Sequence, residues 1–392
     1  MRKLSAFVFF FFYMIFSLFY SGAPLIFYCA STFLLALGWR GEPFAFFIYC
    51  FYFLSNFYVV FGNPEFSALS SADSLAYYQQ AFLDPITYQS MWEKIGNGGV
   101  PIVQVFSEYL KGLSFLVGSK DPEVLVLSNL FFLALGLFFI AKAAFPRYSN
   151  SFKLFFLFLM ISPIMNKGVL ILQKDYLVFV LSSFLIYMLV SFKRSIYFWV
   201  VCFLLLAFLS LLRPYAFVFI FSYVVLFGGV SYFFSISSVF FLGSVGVYFF
   251  GFEVLFVSIL TFISFFASPN FLRPENWISY PGMTFESSII FVFLNFSFLV
   301  LFFVAKWRVL LSWVISLSLC SLVIAIFLMY RLKIDVGYDQ GSALLADDVV
   351  RKKLQVYPMI VYLIVLALNE LFNKKHDILN AESCEDRTKA PS

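Results

Sequence analysis

Asp73 and Tyr77 stand four residues apart, with Tyr78, Gln79 and Gln80 directly after. On a helix that spacing puts the carboxylate and the first phenol on one face. A carboxylate beside aromatic rings and amides can orient and deprotonate a sugar hydroxyl while the rings stack on the sugar. The plainer alternative is a loop helix with a solvated aspartate and tyrosines anchored in the membrane interface. Lys174-Asp175 follows Ser162-Pro163 and opens an apolar run. Lys174 is placed to meet a lipid phosphate that Asp175 orients, or else the two charges pair and cap a helix entrance.

Leu212-Arg213-Pro214-Tyr215 sets an arginine between apolar runs. Arginine at a membrane-helix centre costs about 2.5–3.5 kcal/mol and tends to line a polar cavity, and Pro214 frees backbone groups there by breaking the helix. Arg213 therefore reads as a phosphate clamp, its alternative being a side chain that snorkels to the headgroups. Arg273, Arg331, Lys333, Arg351 and Lys352 form a further basic set. They suit the oxygens of a lipid-linked diphosphate, or pairing with Asp347 and Asp348.

The one histidine, His376, lies close to the C-terminal end, so no His triad, His metal cluster or His base is available elsewhere. No GxxxxGK, GxSxG or CxxC pattern occurs, which leaves nucleotide hydrolysis and serine-nucleophile chemistry without support. Carboxylates, Lys, Arg and Tyr must carry any reaction. No cofactor is called for, and a divalent metal is left open.

The elements that must position these residues are apolar. The chain has 392 residues, 62% hydrophobic, 23% aromatic and 12% charged, with mean hydropathy +0.95. Such a chain needs a bilayer as solvent. Apolar runs cover 4–20, 25–38, 44–61, 124–145, 154–164, 176–192, 196–212, 216–229, 232–250, 255–267, 287–305, 309–330 and 358–372. These predict an all-α, polytopic membrane protein with about 11–13 transmembrane helices, since lipid admits only helices or closed barrels. One membrane domain is expected over 1–373, with a large loop at 63–123 carrying Asp73 and a second charged loop at 331–355. Residues 374–392 read as a disordered cytoplasmic tail.

Arg2, Lys3, Arg40, Lys142, Arg147, Lys153, Lys193, Arg194, Lys306, Arg308, Lys374 and Lys375 cluster with few acids beside them. The positive-inside tendency puts these, and both termini, in the cytoplasm and the Asp73 loop outside. Five apolar runs between Lys193 and Lys306 then exceed an even number of crossings by one, and 255–267 is the candidate that does not cross. The net charge of +5 speaks for this topology and not for nucleic acid. The cysteines suggest no disulfide framework.

Taken together, Asp73 with Tyr77 and Tyr78, Lys174-Asp175 after Ser162-Pro163, and Leu212 to Tyr215 resemble the GT-C class of polytopic glycosyltransferases that use polyprenyl-phosphate sugars. Length, span count and phenylalanine-rich texture are equally similar to Wzy-type O-antigen polymerases. The resemblance implies a GT-C-like fold, a location in the bacterial inner membrane, and catalysis in surface-polysaccharide assembly. It also implies Asp73, Asp175 and Arg213 as catalytic residues. Tyr77, Tyr78, Lys174, Tyr215, Arg273, Arg331, Lys333, Arg351 and Lys352 would bind substrate. Implied partners are an undecaprenyl-(di)phosphate-linked sugar, a glycan acceptor and other polysaccharide-assembly proteins. The competing expectation is a flippase for the same lipid-linked sugars, for which Glu253 is the main acid placed toward mid-membrane.

Overall fold

The computed structural model describes residues 11, 13, 14, 17, 22–38, 43–63, 65–83, 102–146, 149–166, 168–192, 195–213, 215–228, 230–269, 271–334 and 353–372. Regular structure among these residues is helical throughout. In chain order the helices are α1 (Ala23–Gly38), α2 (Pro43–Gly62), α3 (Ala72–Tyr78, running into a π-turn at Gln79–Leu83), α4 (Ile102–Val117) and α5 (Pro122–Ala144). Then come α6 (Asn150–Ile161), α7 (Pro163–Asn166), α8 (Asp175–Ser191), α9 (Ile196–Leu212), α10 (Ala216–Leu226), α11 (Tyr232–Phe250) and α12 (Glu253–Ala267). The series closes with α13 (Pro274–Ser279), α14 (Pro281–Phe303), α15 (Trp307–Ile334) and α16 (Lys353–Phe372).

Five of them, α5, α11, α14, α15 and α16, are long and apolar enough to cross a membrane, and six more apolar helices are shorter. The chain is thus an all-α polytopic membrane protein. Helix α12, the run expected not to cross, is a helix of 15 residues, short of the roughly 20 that a perpendicular span needs. The first apolar run falls mostly outside the described residues, and residues 374–392 fall wholly outside them.

The chain divides into two compact units: Met1–Tyr148 with Phe156–Ile220, and Ser149–Phe155 with Phe221–Ser392. In the first unit α5 is the central element. It is buried on nearly every side, with Leu125, Leu127, Leu130, Leu133 and Leu137 fully enclosed, as a helix apolar all round must be. Helix α8 lies against it where Gly136 admits a close approach: a Cβ there would meet the Phe179 ring at 2.7 Å and the Val180 Cα at 3.2 Å.

Helix α4 lies within the 63–123 stretch, where the residue pattern predicts only a loop. It buries Phe106, Leu110, Leu113 and Val117, a 4-3-4 stripe characteristic of an amphipathic helix. Glu108 and Lys111 pair at 2.6 Å on its exposed side.

In the second unit α15 lies against α11 and α12. Ser258 and Ser321 hydrogen-bond between α12 and α15 at 3.1 Å. Helix α16 is tied in by Trp313, whose indole N–H donates to the Met359 carbonyl at 3.0 Å. Tyr223 donates to the Gln355 carbonyl at 2.8 Å. Among the described residues α16 runs from Lys353, ahead of the expected Pro358, and Lys353 has buried partners of its own, described below.

Candidate functional site

The site is built in the first unit from the helix that carries Asp73. Ser71 and Ser74 close a reciprocal capping box, with Ser74 N donating to Ser71 Oγ at 3.1 Å and Ser71 N to Ser74 Oγ at 3.2 Å. This satisfies two backbone donors that a helix start leaves orphaned. Asp73 sits in the first turn of α3, where the helix dipole favours a carboxylate, and it is exposed. Tyr77 is buried edge-on against Phe106 of α4, ring centroids 4.9 Å apart. Ser107 Oγ donates to the Tyr77 carbonyl at 3.2 Å. Helix α4 thus fixes Tyr77, and through it the orientation of α3.

The other half of the site comes from the broken helix between α6 and α8. Ser162 Oγ accepts from Met165 N at 3.1 Å and starts the short α7. Gly168 then takes a positive φ of 77°, a turn conformation that glycine adopts without steric cost. The carbonyls this break frees inside apolar surroundings are met one by one, as buried backbone groups require. Asn129 of α5 donates to the Val169 and Ile171 carbonyls at 3.1 and 2.9 Å. Asn166 donates to those of Met160 and Ser162 at 2.9 and 2.8 Å. Tyr176 donates to the Met165 carbonyl at 3.1 Å, and Tyr52 of α2 donates to Asn166 Oδ1. Leu172 N donates to the Ala68 carbonyl at 3.2 Å, which ties the Asp73 loop to the turn leading into α8.

These constraints bring Lys174, Asp175, Arg213, Tyr77 and Tyr215 into one connected group. Lys174 Nζ donates to Tyr77 Oη at 3.0 Å and stands 5.5 Å from that ring's centroid. Asp175, the first residue of α8, accepts from Arg213 Nη2. Arg213, at the C-terminal cap of α9, donates through Nη1 to Tyr215 Oη. The Arg213 and Asp175 side chains are 17% and 7% exposed, so the pair is largely withdrawn from water.

A guanidinium carries five N–H donors. Two are engaged by Asp175 and Tyr215, and the other three have no partner among the described residues. The capacity is for gripping a phosphate-like oxyanion beside Tyr77, with an exposed carboxylate one helical turn away.

Tyr78 is oriented otherwise. It is half-buried, its ring tilted against that of Phe82, and its phenol is pushed above the usual tyrosine value by burial and then by the carboxylates of Asp121 and Glu123. That acidic neighbourhood is unsuited to an anion.

Arg273 belongs to the second unit, where it is exposed at the N-terminal cap of α13. Arg331 and Lys333 lie on the last turn of α15, with side chains outside the described set. Arg351 and Lys352 are outside the described residues altogether. Glu253 is exposed at the start of α12.

The second unit holds a polar cluster that the residue pattern did not single out. Lys353 is wholly buried, and its Nζ donates to the Ser268 carbonyl at 2.6 Å and to Ser287 Oγ at 3.3 Å. Its ammonium stands 5.8 Å from the Tyr357 ring centroid, and Tyr357 Oη donates to the Glu286 carboxylate. The i,i+4 spacing of Lys353 and Tyr357 with α16 extended backward was the available signal. Asn129 and Asn166, amides beside long apolar runs, were the signal for the broken helix. Among the described residues no group of three or more His, Cys, Asp or Glu side chains is gathered to hold a metal ion. Comparison with protein-family models, with curated proteins and with solved structures found no match.

Proposed function

We propose that this protein is a membrane glycosyltransferase of bacterial surface-polysaccharide assembly, acting on an undecaprenyl phosphate- or diphosphate-linked sugar as a GT-C enzyme or a repeat-unit polymerase. The observation that supports this reading most is Arg213: largely buried, clamped by Asp175 and Tyr215, with three N–H donors unspent among the described residues. The donor phosphate would lie against Arg213 and Lys174. The acceptor hydroxyl oxygen would attack the anomeric carbon as the bond from that carbon to phosphate oxygen breaks. The bonding pair leaves with the phosphate, whose charge Arg213 and Lys174 stabilise, and the hydroxyl proton passes to the Asp73 carboxylate. GT-C-like architecture and an inner-membrane location with cytoplasmic termini belong to the same proposal.

Deletion of the gene tests it. Accumulated lipid-linked glycans on the outer leaflet are expected, with complete single repeat units for a polymerase and truncated units for a single-sugar transferase. Polysaccharide of normal length and amount in an Asp73→Asn strain would sink the assignment. A flippase is the second reading, favoured by the buried Lys353 and its carboxylate-bearing neighbour, since intramembrane charges mark transport paths. It predicts accumulation on the inner leaflet instead.

A further inference from the structure

Helices α11 and α14 face outward: their most apolar stretches are only 17% and 22% buried, against 78% for α5. Lipid suffices to cover apolar side chains, so exposure alone asks for nothing. Asn295 is different. It is exposed near the middle of the apolar part of α14. One of its N–H groups donates to the Phe291 carbonyl at 2.7 Å. The other N–H and a full share of the carbonyl oxygen's capacity have no partner among the described residues. A polar group left so in hydrocarbon is costly, and asparagine in a span characteristically bonds across to another helix. On α11 the Ser238 hydroxyl, a smaller polar group than a carboxamide, is met by the Phe234 carbonyl at 2.8 Å in its own helix.

Asn295 lies on one stripe of a helix that is exposed on most of its sides. Phe285, Ser288, Val292, Asn295, Leu299 and Phe302 recur at spacings of three and four, the heptad seam of a left-handed helix pair. All six are exposed or half-exposed. A single asparagine in such a seam sets register and partner number. A carboxamide is both donor and acceptor, so it complements its own copy across a two-fold axis, where each residue meets the same surface on the partner.

We propose that α14 is the face through which two copies of this chain associate in the bilayer, the Asn295 side chains hydrogen-bonding to each other at the centre of the seam. The inference is independent of the glycosyl-transfer reading.

The test uses the full-length chain in phospholipid vesicles, with Cys29, Cys50, Cys202, Cys320 and Cys384 replaced by alanine. Single cysteines are then introduced along the seam (Val292→Cys, Leu299→Cys) and off it at other exposed positions (Phe296→Cys, Phe303→Cys). Oxidation should link the seam variants into a species of twice the monomer mass, several-fold more strongly than the off-seam variants. Adding Asn295→Leu to Val292→Cys should lower that yield several-fold, while Asn295→Gln should preserve most of it. Cross-linking of equal strength around α14 would overturn the proposal. So would a monomer at every protein-to-lipid ratio, a yield untouched by Asn295→Leu, or seam cysteines that link in native membranes to a different protein.

Discussion

At the residue scale the Arg213–Asp175 pair makes a discriminating demand on mutagenesis. Removing one member of a buried ion pair strands the other charge, at about 3–5 kcal/mol, whereas replacing both by apolar residues of similar size is often neutral. Asp175→Leu and Arg213→Leu should therefore each lower the thermal midpoint of the detergent-solubilised protein markedly, and the double variant should recover most of the loss. If the pair serves phosphate binding, that stable double variant should still make no polysaccharide. Asp73 gives the complementary case. It is exposed, so Asp73→Asn should change stability by no more than about 0.5 kcal/mol. Loss of a general base should nonetheless slow transfer by about 100- to 10,000-fold, read as product formed from a lipid-linked donor by purified protein.

At the scale of elements, the contact between α5 and α8 is limited by Gly136. A Gly136→Leu side chain would have to enter space held by the Phe179 ring and the Val180 backbone. Overpacking of this kind costs about 1–3 kcal/mol. Because α8 begins with Lys174-Asp175, a shift there should also move the site. The expected outcome is a lower melting temperature together with reduced activity, where Gly112→Ala, at a position with open space around it, should show neither.

The helices themselves were largely legible from residue order. Helices α9 and α11 begin and end where the apolar runs do, because Ser195 and Ser231 accept from backbone N–H groups at their starts. The break at Ser162-Pro163 was visible for the same local reason. Helix α4 was not, since its apolar positions are diluted among the polar residues of the 63–123 loop. Residue order marks Asn129 and Asn166 as amides beside apolar runs, but which carbonyls they meet across the broken helix depends on tertiary neighbours.

At the scale of the whole molecule, the described residues of the first unit enclose a cationic cluster around Arg213 and those of the second one around Lys353. Residue order sets Lys353 directly after Arg351-Lys352, inside the stretch 331–355 expected as a charged loop. Only the packing of α12, α14 and α16 shows that it turns inward. Its ammonium is met by the Ser268 carbonyl and the Ser287 hydroxyl, so removing it alone strands a buried acceptor, at about 1–3 kcal/mol. Lys353→Met should lower the melting temperature, and Lys353→Asp should sharply reduce the yield of membrane-inserted protein, measured by quantitative immunoblot.

Lys353 also bears on how the chain is made. Its partners Ser268, Ser287, Glu286 and Tyr357 lie, apart from Tyr357, earlier in the sequence. During synthesis the ribosome therefore delivers the receptor for this ammonium before the ammonium itself. Helix α16, apolar enough to cross a membrane by itself, thus arrives where the seat for its one buried ammonium has already been made.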